Sequence, residues 1–182
     1  VDCGVVPTFG VTSSPATDDS DWRGRLALID RARAAGGRMV GLTHPRGVSV
    51  HLSFATQLPF DKLDGWREFR QLSLAEQEAR LRDPESRGRL EESAGQTAPG
   101  TVSGGEARPP EYDRMEVLID PVGSNPTVAE IASQRGVSPI TAFIDLALES
   151  GLTQFFTQPL GNNDESVLLE IMKHPGTVMT CS

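Results

Sequence analysis

The sequence predicts an α/β domain of parallel strands with flanking helices. Three observations carry that expectation. Apolar, β-rich runs alternate with amphipathic helical stretches along all 182 residues, the pattern of right-handed βαβ units. Helix starts are marked by local chemistry: Ser73 with Glu76 and Thr127 with Glu130 form capping boxes, and Asp83-Pro84 and Ser138-Pro139 pair a cap with a proline. Gly and Pro punctuate nearly every boundary. A length of 182 residues with 37% hydrophobic and 23% charged residues suits a single domain that buries a sizeable core.

Residues 5–12 read as a short strand, with Pro7 near its start and Gly10 inside it. A polar loop over 13–20 leads to a helix over 21–35, where Trp22, Leu26, Ile29 and Arg33 share a face and Gly36-Gly37 stop it. The next strand covers 38–43. His44-Pro45-Arg46-Gly47 breaks it, and 48–54 fits a strand or a short helix. Helices follow over 66–72, from Ser73 to 82, and from Asp83 to 92. Residues 93–110 have no periodicity and are rich in Gly, Pro, Ser and Ala. They read as a flexible loop or lid insertion. A strand over 115–120 precedes two helices split at Gly136. In the second, Ile140, Phe143, Ile144, Ala147 and Leu148 make an apolar stripe that Gly151 closes. A strand over 152–157, a helix capped by Asn163 or Asp164, and a strand over 177–182 complete the chain. In that helix Val167, Leu168, Ile171 and Met172 face inward.

The bulk chemistry excludes several classes. A net charge of −8 argues against wrapping nucleic acid or an anionic membrane, both of which require a basic face. No apolar run approaches the ~18 residues of a membrane span, so no membrane partner is expected. The helix pair over 127–150 has the spacing of a helix-turn-helix. Yet its second helix holds no Lys, Arg, Asn or Gln over 140–150 and carries Asp145 and Glu149, so it reads as an αα-hairpin packed on a sheet. Cys3 and Cys181 make no metal spacing. They read as two thiols of a cytoplasmic protein, with a disulfide joining the termini as the alternative. Opening on Val1 inside a strand suggests a fragment of a larger protein.

In parallel α/β folds, ligands sit beyond the carboxyl ends of strands. His44 and Arg46 directly follow a strand and are candidates for substrate binding, against the plainer reading of a polar loop. Asn162 and Asn163 follow the strand over 152–157 and are candidates on the same ground, with helix capping as the rival explanation. Asp120 is a weaker one, because Pro121 suits a simple turn. His51 sits in an apolar run and reads as a core or lining histidine rather than a ligand. His174, in a last helical turn, reads as a cap. No catalytic or metal-ligating residue is assigned. The chain lacks a GxGxxG, a Walker A loop, a nucleophile elbow and an HExxH.

Several blocks, in order, carry a resemblance. They are 6–10 (VPTFG), Trp22 with Leu28-Ile29-Asp30, Pro45-Arg46, Pro59-Phe60 with Trp66, 81–87 (LRDPESR) and His174-Pro175. Together they resemble the N-acyl-D-amino-acid deacylase (D-aminoacylase) branch of the amidohydrolase superfamily, over nearly the whole chain except 93–110. The resemblance implies the second half of a catalytic (β/α)8, TIM-type barrel, hence a partial barrel here. It implies a parent enzyme that uses zinc or another divalent metal to cleave the amide of a small-molecule N-acyl amino acid. Arg46 would then pair with the substrate carboxylate through its two-pronged guanidinium.

The departures are specific. The family's H-x-H belongs to a strand outside this chain. Residues 5–12 offer no histidine for the mid-barrel ligand. The metal-facing aspartate would follow Ser182. This stretch by itself is therefore expected to hold no catalytic metal and to be inactive. A half barrel leaves sheet edges open, which predicts a homo-oligomer. The alternative is a non-catalytic α/β binding or scaffold domain.

Overall fold

The computed structural model describes residues 5–14, 19–96 and 109–180, without the side chains of Asp19 and Ser20. Outside them fall Cys3 and Cys181, Ser182, part of the 13–20 loop and most of the 93–110 segment. The described chain is α/β. It comprises β1 (Thr8–Gly10), α1 (Asp19–Ala34), β2 (Val40–Thr43), β3 (Val48–Leu52), α2 (Trp66–Phe69), α3 (Leu74–Arg82) and α4 (Pro84–Ser93). There follow β4 (Glu116–Val117), α5 (Val128–Arg135), α6 (Pro139–Glu149), β5 (Phe156–Gly161), α7 (Glu165–Lys173) and β6 (Thr177–Met179). It divides into two compact units, Val1–Ser49 with Pro159–Ser182, and Val50–Gln158.

The first unit is built on a parallel sheet in the order β1-β2-β6. Gly41 lies in the central strand, where an added Cβ would sit 2.8 Å from Val11 Cγ2 and 3.0 Å from Ile29 Cδ1. Glycine there lets the helix pack close to the sheet. Trp22, Leu26 and Ile29 of α1 are buried with Val11 and with Ile171 of α7. Arg33, expected on the same face, is exposed, because the stripe has turned past the sheet by that residue. Arg23 and Glu170 close a 2.6 Å ion pair between α1 and α7. Half-exposed, it contributes about 1 kcal/mol or less.

The second unit holds the larger core. Phe54, Phe60, Trp66, Phe69, Phe143 and Phe156 form a connected aromatic cluster, with Phe143 and Phe156 centroids 4.2 Å apart. The buried Trp66 Nε1–H donates to Leu90 O at 3.0 Å, so the indole joins α2 to α4 without losing a hydrogen bond. Arg70, 11% exposed, gathers the loop after β3. Its Nε donates to Asp61 Oδ1 at 2.9 Å, its Nη2 to Thr56 O at 3.0 Å, and its Nη1 to Phe54 O and to Gln77 Oε1.

Every cap legible in the sequence forms. Ser73 and Thr127 each accept the N3 amide and receive the reciprocal glutamate, while Asp83, Ser138 and Asp164 cap α4, α6 and α7. The stripe of α6 is inward, with Phe143, Ile144 and Ala147 buried, and 48–52 is a strand.

Three expectations are corrected. The strand expected over 152–157 begins at Phe156 and runs to Gly161. Leu152 N–H donates to Ala147 O at 2.7 Å and Gly151 N–H to Leu148 O at 3.1 Å, with both residues left-handed at φ 63° and 62°. That is a Schellman closure of α6, and it takes up residues a strand would need. The sheet pattern is also not uniformly parallel. The order is β3-β5-β4, and β4 pairs antiparallel to β5 through Glu116↔Thr157 and Val117↔Phe156. Pro159, with no N–H to donate, lies beyond the stretch β4 pairs. The strand expected over 115–120 shrinks to two residues, because Asn125 draws in the amides that follow: its Oδ1 accepts Ile119 N–H at 2.8 Å and Asp120 N–H at 2.9 Å.

Candidate functional site

Within the first unit, the carboxyl ends of β1, β2, β5 and β6 converge. Gly161 ends β5 against the residues after β1: an added Cβ there would lie 2.6 Å from Ser13 O and from Thr12 Cγ2. That approach lets Asn162 N–H donate to Ser13 O at 2.9 Å, while Ser13 N–H donates to Asn162 Oδ1 at 3.1 Å. Asn162 takes φ 57°, a left-handed conformation asparagine tolerates better than most residues. Its Nδ2 donates to Thr43 Oγ1 at 3.2 Å and to His44 O at 3.1 Å. The carboxamide is 1% exposed and all four of these bonds go to protein. It is a buried cross-brace between strand ends.

Thr180 closes the other side. Its N–H donates to Thr43 O at 2.8 Å, and its hydroxyl donates to the same oxygen at 3.2 Å. The hydroxyl oxygen also lies 3.4 Å from His44 Nδ1, within hydrogen-bond reach. Among the described residues none bonds Nε2. The ring is half-buried. The result is an imidazole held at Nδ1, with Nε2 left for a further hydrogen bond.

The four candidate residues separate in kind. His44 and Asn162 meet through the His44 carbonyl. Asn163 is exposed, and its Oδ1 lies 2.6 Å from the point a Cβ on Gly47 would occupy. It therefore packs over the turn that carries Arg46, which is also exposed. Asp164, not Asn163, caps α7. Its carboxylate accepts Ser166 and Val167 amides at 2.9 and 3.1 Å. The Ser166 hydroxyl and these amides hold its pKa below the ordinary 3.8. Ser13, Thr43 and Thr180 belong to the cluster and were not singled out from sequence. Their one sequence signal is position, immediately at or after a strand's carboxyl end.

The remaining candidates are structural. Asp120 accepts Val122 N–H at 3.0 Å in a turn. His51 is exposed rather than in the core, because β3 turns it outward, and its Nδ1 meets Thr157 Oγ1 at 3.0 Å. His174 is the C-cap residue of α7 through its backbone N–H, which donates to Ile171 O, while its ring does not reach the helix carbonyls as expected: Nδ1 accepts Gly176 N–H at 3.1 Å and Nε2 lies 3.2 Å from Asp30 Oδ1. Among the described residues, no three His, Cys, Asp or Glu side chains stand together as a metal would require, so these residues do not fit a catalytic zinc. No described helix is long and apolar enough to cross a membrane.

No family model and no curated protein matches the chain. Among solved structures it is similar to the crystal structure of N-acyl-D-glutamate deacylase from Bordetella bronchiseptica, complexed with zinc and a phosphonate inhibitor mimicking the tetrahedral intermediate. The two are 17% identical with a TM-score of 0.41, over 97% of this chain and 26% of that one. The chain thus spans about a quarter of that protein's length. A likeness at this level fixes no chemistry.

Proposed function

We propose that this chain is part of an amidohydrolase-type deacylase, a partial (β/α)8 barrel that binds the N-acyl amino acid and contributes no metal ligand. One observation carries the reading: His44, Asn162, Ser13 and Thr180 meet beyond the carboxyl ends of their strands, the face where α/β enzymes bind ligands. The ordered blocks that resemble the D-aminoacylase branch supply the substrate class. In this reading Nε2 of His44 accepts a hydrogen bond from the substrate amide. Arg46 pairs with its carboxylate, Asn163 lines the turn beside it, and Asn162 holds the His44 backbone in position. The described residues derive no hydrolytic step.

The experiment is a titration of the chain with N-acetyl-D-glutamate and N-acetyl-D-leucine, followed by NMR, with the L-enantiomers as controls. Saturable shifts at His44 and Arg46 at millimolar ligand, stronger for the D-forms, support it. Absence of shifts at those residues sinks it. Turnover by the chain alone, or one bound zinc per chain, sinks the part that makes this stretch incomplete. The same reading includes self-association through the open edges of the β1-β2-β6 sheet, where Val178 and Met179 of β6 are 54% and 56% exposed. A monomeric mass by light scattering removes that part. The second reading, a non-catalytic binding or scaffold domain, is favoured by the fully internal bonding of the Asn162 carboxamide. It predicts no response to any N-acyl amino acid.

A further inference from the structure

The second unit holds a cleft of about 310 Å³ between α2, α3 and α4, near the lower end of the size range of small-ligand pockets. It shares no residue with the cluster at the strand ends. Phe69, Leu72 and Leu90 give it an apolar floor, with Phe69 and Leu90 5% and 6% exposed. Most of its polar groups are already engaged. Ser93 Oγ donates to Leu90 O at 3.3 Å, the Ser86 hydroxyl bonds the Asp83 carboxylate, Arg89 pairs with Glu85 at 2.8 Å, and Asp64 with Arg67 at 3.2 Å.

Two charged groups keep unused capacity. Glu68 spends Oε2 on Gly65 N–H at 2.8 Å, and Oε1 bonds none of the described residues. Arg80, from α3, makes no hydrogen bond or close ion pair among the described residues, and its charge is felt at longer range by Glu76 and Asp83. An apolar floor with one guanidinium and one carboxylate oxygen, each from a different helix, is complementary to a small molecule with the reverse charges and an apolar body.

We propose that this cleft binds a free apolar α-amino acid as its zwitterion. The side chain lies on Phe69, Leu72 and Leu90, the carboxylate meets Arg80, and the ammonium meets Glu68. The proposal is independent of the deacylase reading.

Titration calorimetry with phenylalanine and leucine tests it, alongside 3-phenylpropanoate, which lacks the ammonium, and 2-phenylethylamine, which lacks the carboxylate. The expected result is saturable binding of the amino acids, with each singly charged analogue weaker by about tenfold or more. Arg80→Gln and Glu68→Gln should each cost about tenfold in affinity. Both sites are exposed, and the glutamine at 68 can still accept the Gly65 amide, so the fold is retained. No saturable binding of either amino acid overturns the proposal. So does equal binding of an analogue, or full affinity in Arg80→Gln.

Discussion

Asn162 Nδ2 donates to Thr43 Oγ1 at 3.2 Å across 119 residues of sequence. This bond and its companions to His44 O and Ser13 N–H make one buried carboxamide, itself at the end of β5, responsible for three backbone or side-chain groups at the ends of β1 and β2. Replacing Asn162 by alanine leaves Ser13 N–H without its partner and Thr43 Oγ1 and His44 O with only their long 3.4 Å bond to each other. The expected loss is about 2–4 kcal/mol of unfolding free energy, measured by urea titration. Asn162→Asp keeps the acceptor but loses the donors, and should fall between. A loss under about 0.5 kcal/mol for the alanine variant would show that water replaces the brace.

Arg70 gives a comparable test in the second unit. With 11% side-chain exposure it satisfies Asp61 and three further acceptors. Arg70→Ala strands a partly buried carboxylate and is expected to cost about 3–5 kcal/mol. Arg70→Lys, one point charge in place of a fork, should recover only part of that. Equal stability of the lysine variant and the parent would contradict the fork geometry.

Two glycines separate crowding from flexibility. Gly161→Ala brings a Cβ to 2.6 Å from Ser13 O, a backbone atom, whereas a Cβ on Gly10 meets nothing within 4 Å. The first should destabilise by about 1–3 kcal/mol and shift the His44 resonances. The second should change stability by about 0.5 kcal/mol or less. Equal effects would count against the close approach of β5 to Ser13.

The caps set an acid limit. Glu76 is held below its ordinary 4.5 by the Ser73 hydroxyl and amide, Asp83 below 3.8 by Ser86, and Asp164 below 3.8 by Ser166. Each carboxyl binds its proton less readily folded than unfolded. Its contribution is complete above the ordinary value and drains as pH falls through the lowered one. Urea midpoints should therefore hold steady near neutrality and decline below about pH 4.5. Ser73→Ala should cost about 1 kcal/mol near neutrality and flatten that decline. An unchanged acid profile in Ser73→Ala would mean other carboxylates set the limit.

What the sequence made legible was local. Ser73, Asp83, Thr127 and Ser138 cap within three residues of themselves, so their chemistry and position are read together. The stripe of α6 depends only on its own period. The misreadings are where a distant or competing bond decided. Leu152 looks like the first residue of an apolar strand, but the left-handed turn at Gly151 returns its amide to Ala147. Glu116 and Val117 find β5 in antiparallel register, which no neighbouring residue announces. His44 and Asn162 were visible as residues after strands. That Asn162 braces His44, and that Thr180 meets its ring nitrogen, depends on partners more than 115 residues away.

The second unit is one continuous stretch, Val50–Gln158, lying between two segments of the first. During synthesis, β1 and β2 therefore leave the ribosome before the whole intervening unit, while β6, the other neighbour of β2, follows it. The larger aromatic core has all its residues early. The cluster around His44 has to wait for Asn162 and Thr180. Until then Thr43 lacks its partners Asn162 and Thr180, and β2 lacks its neighbour β6.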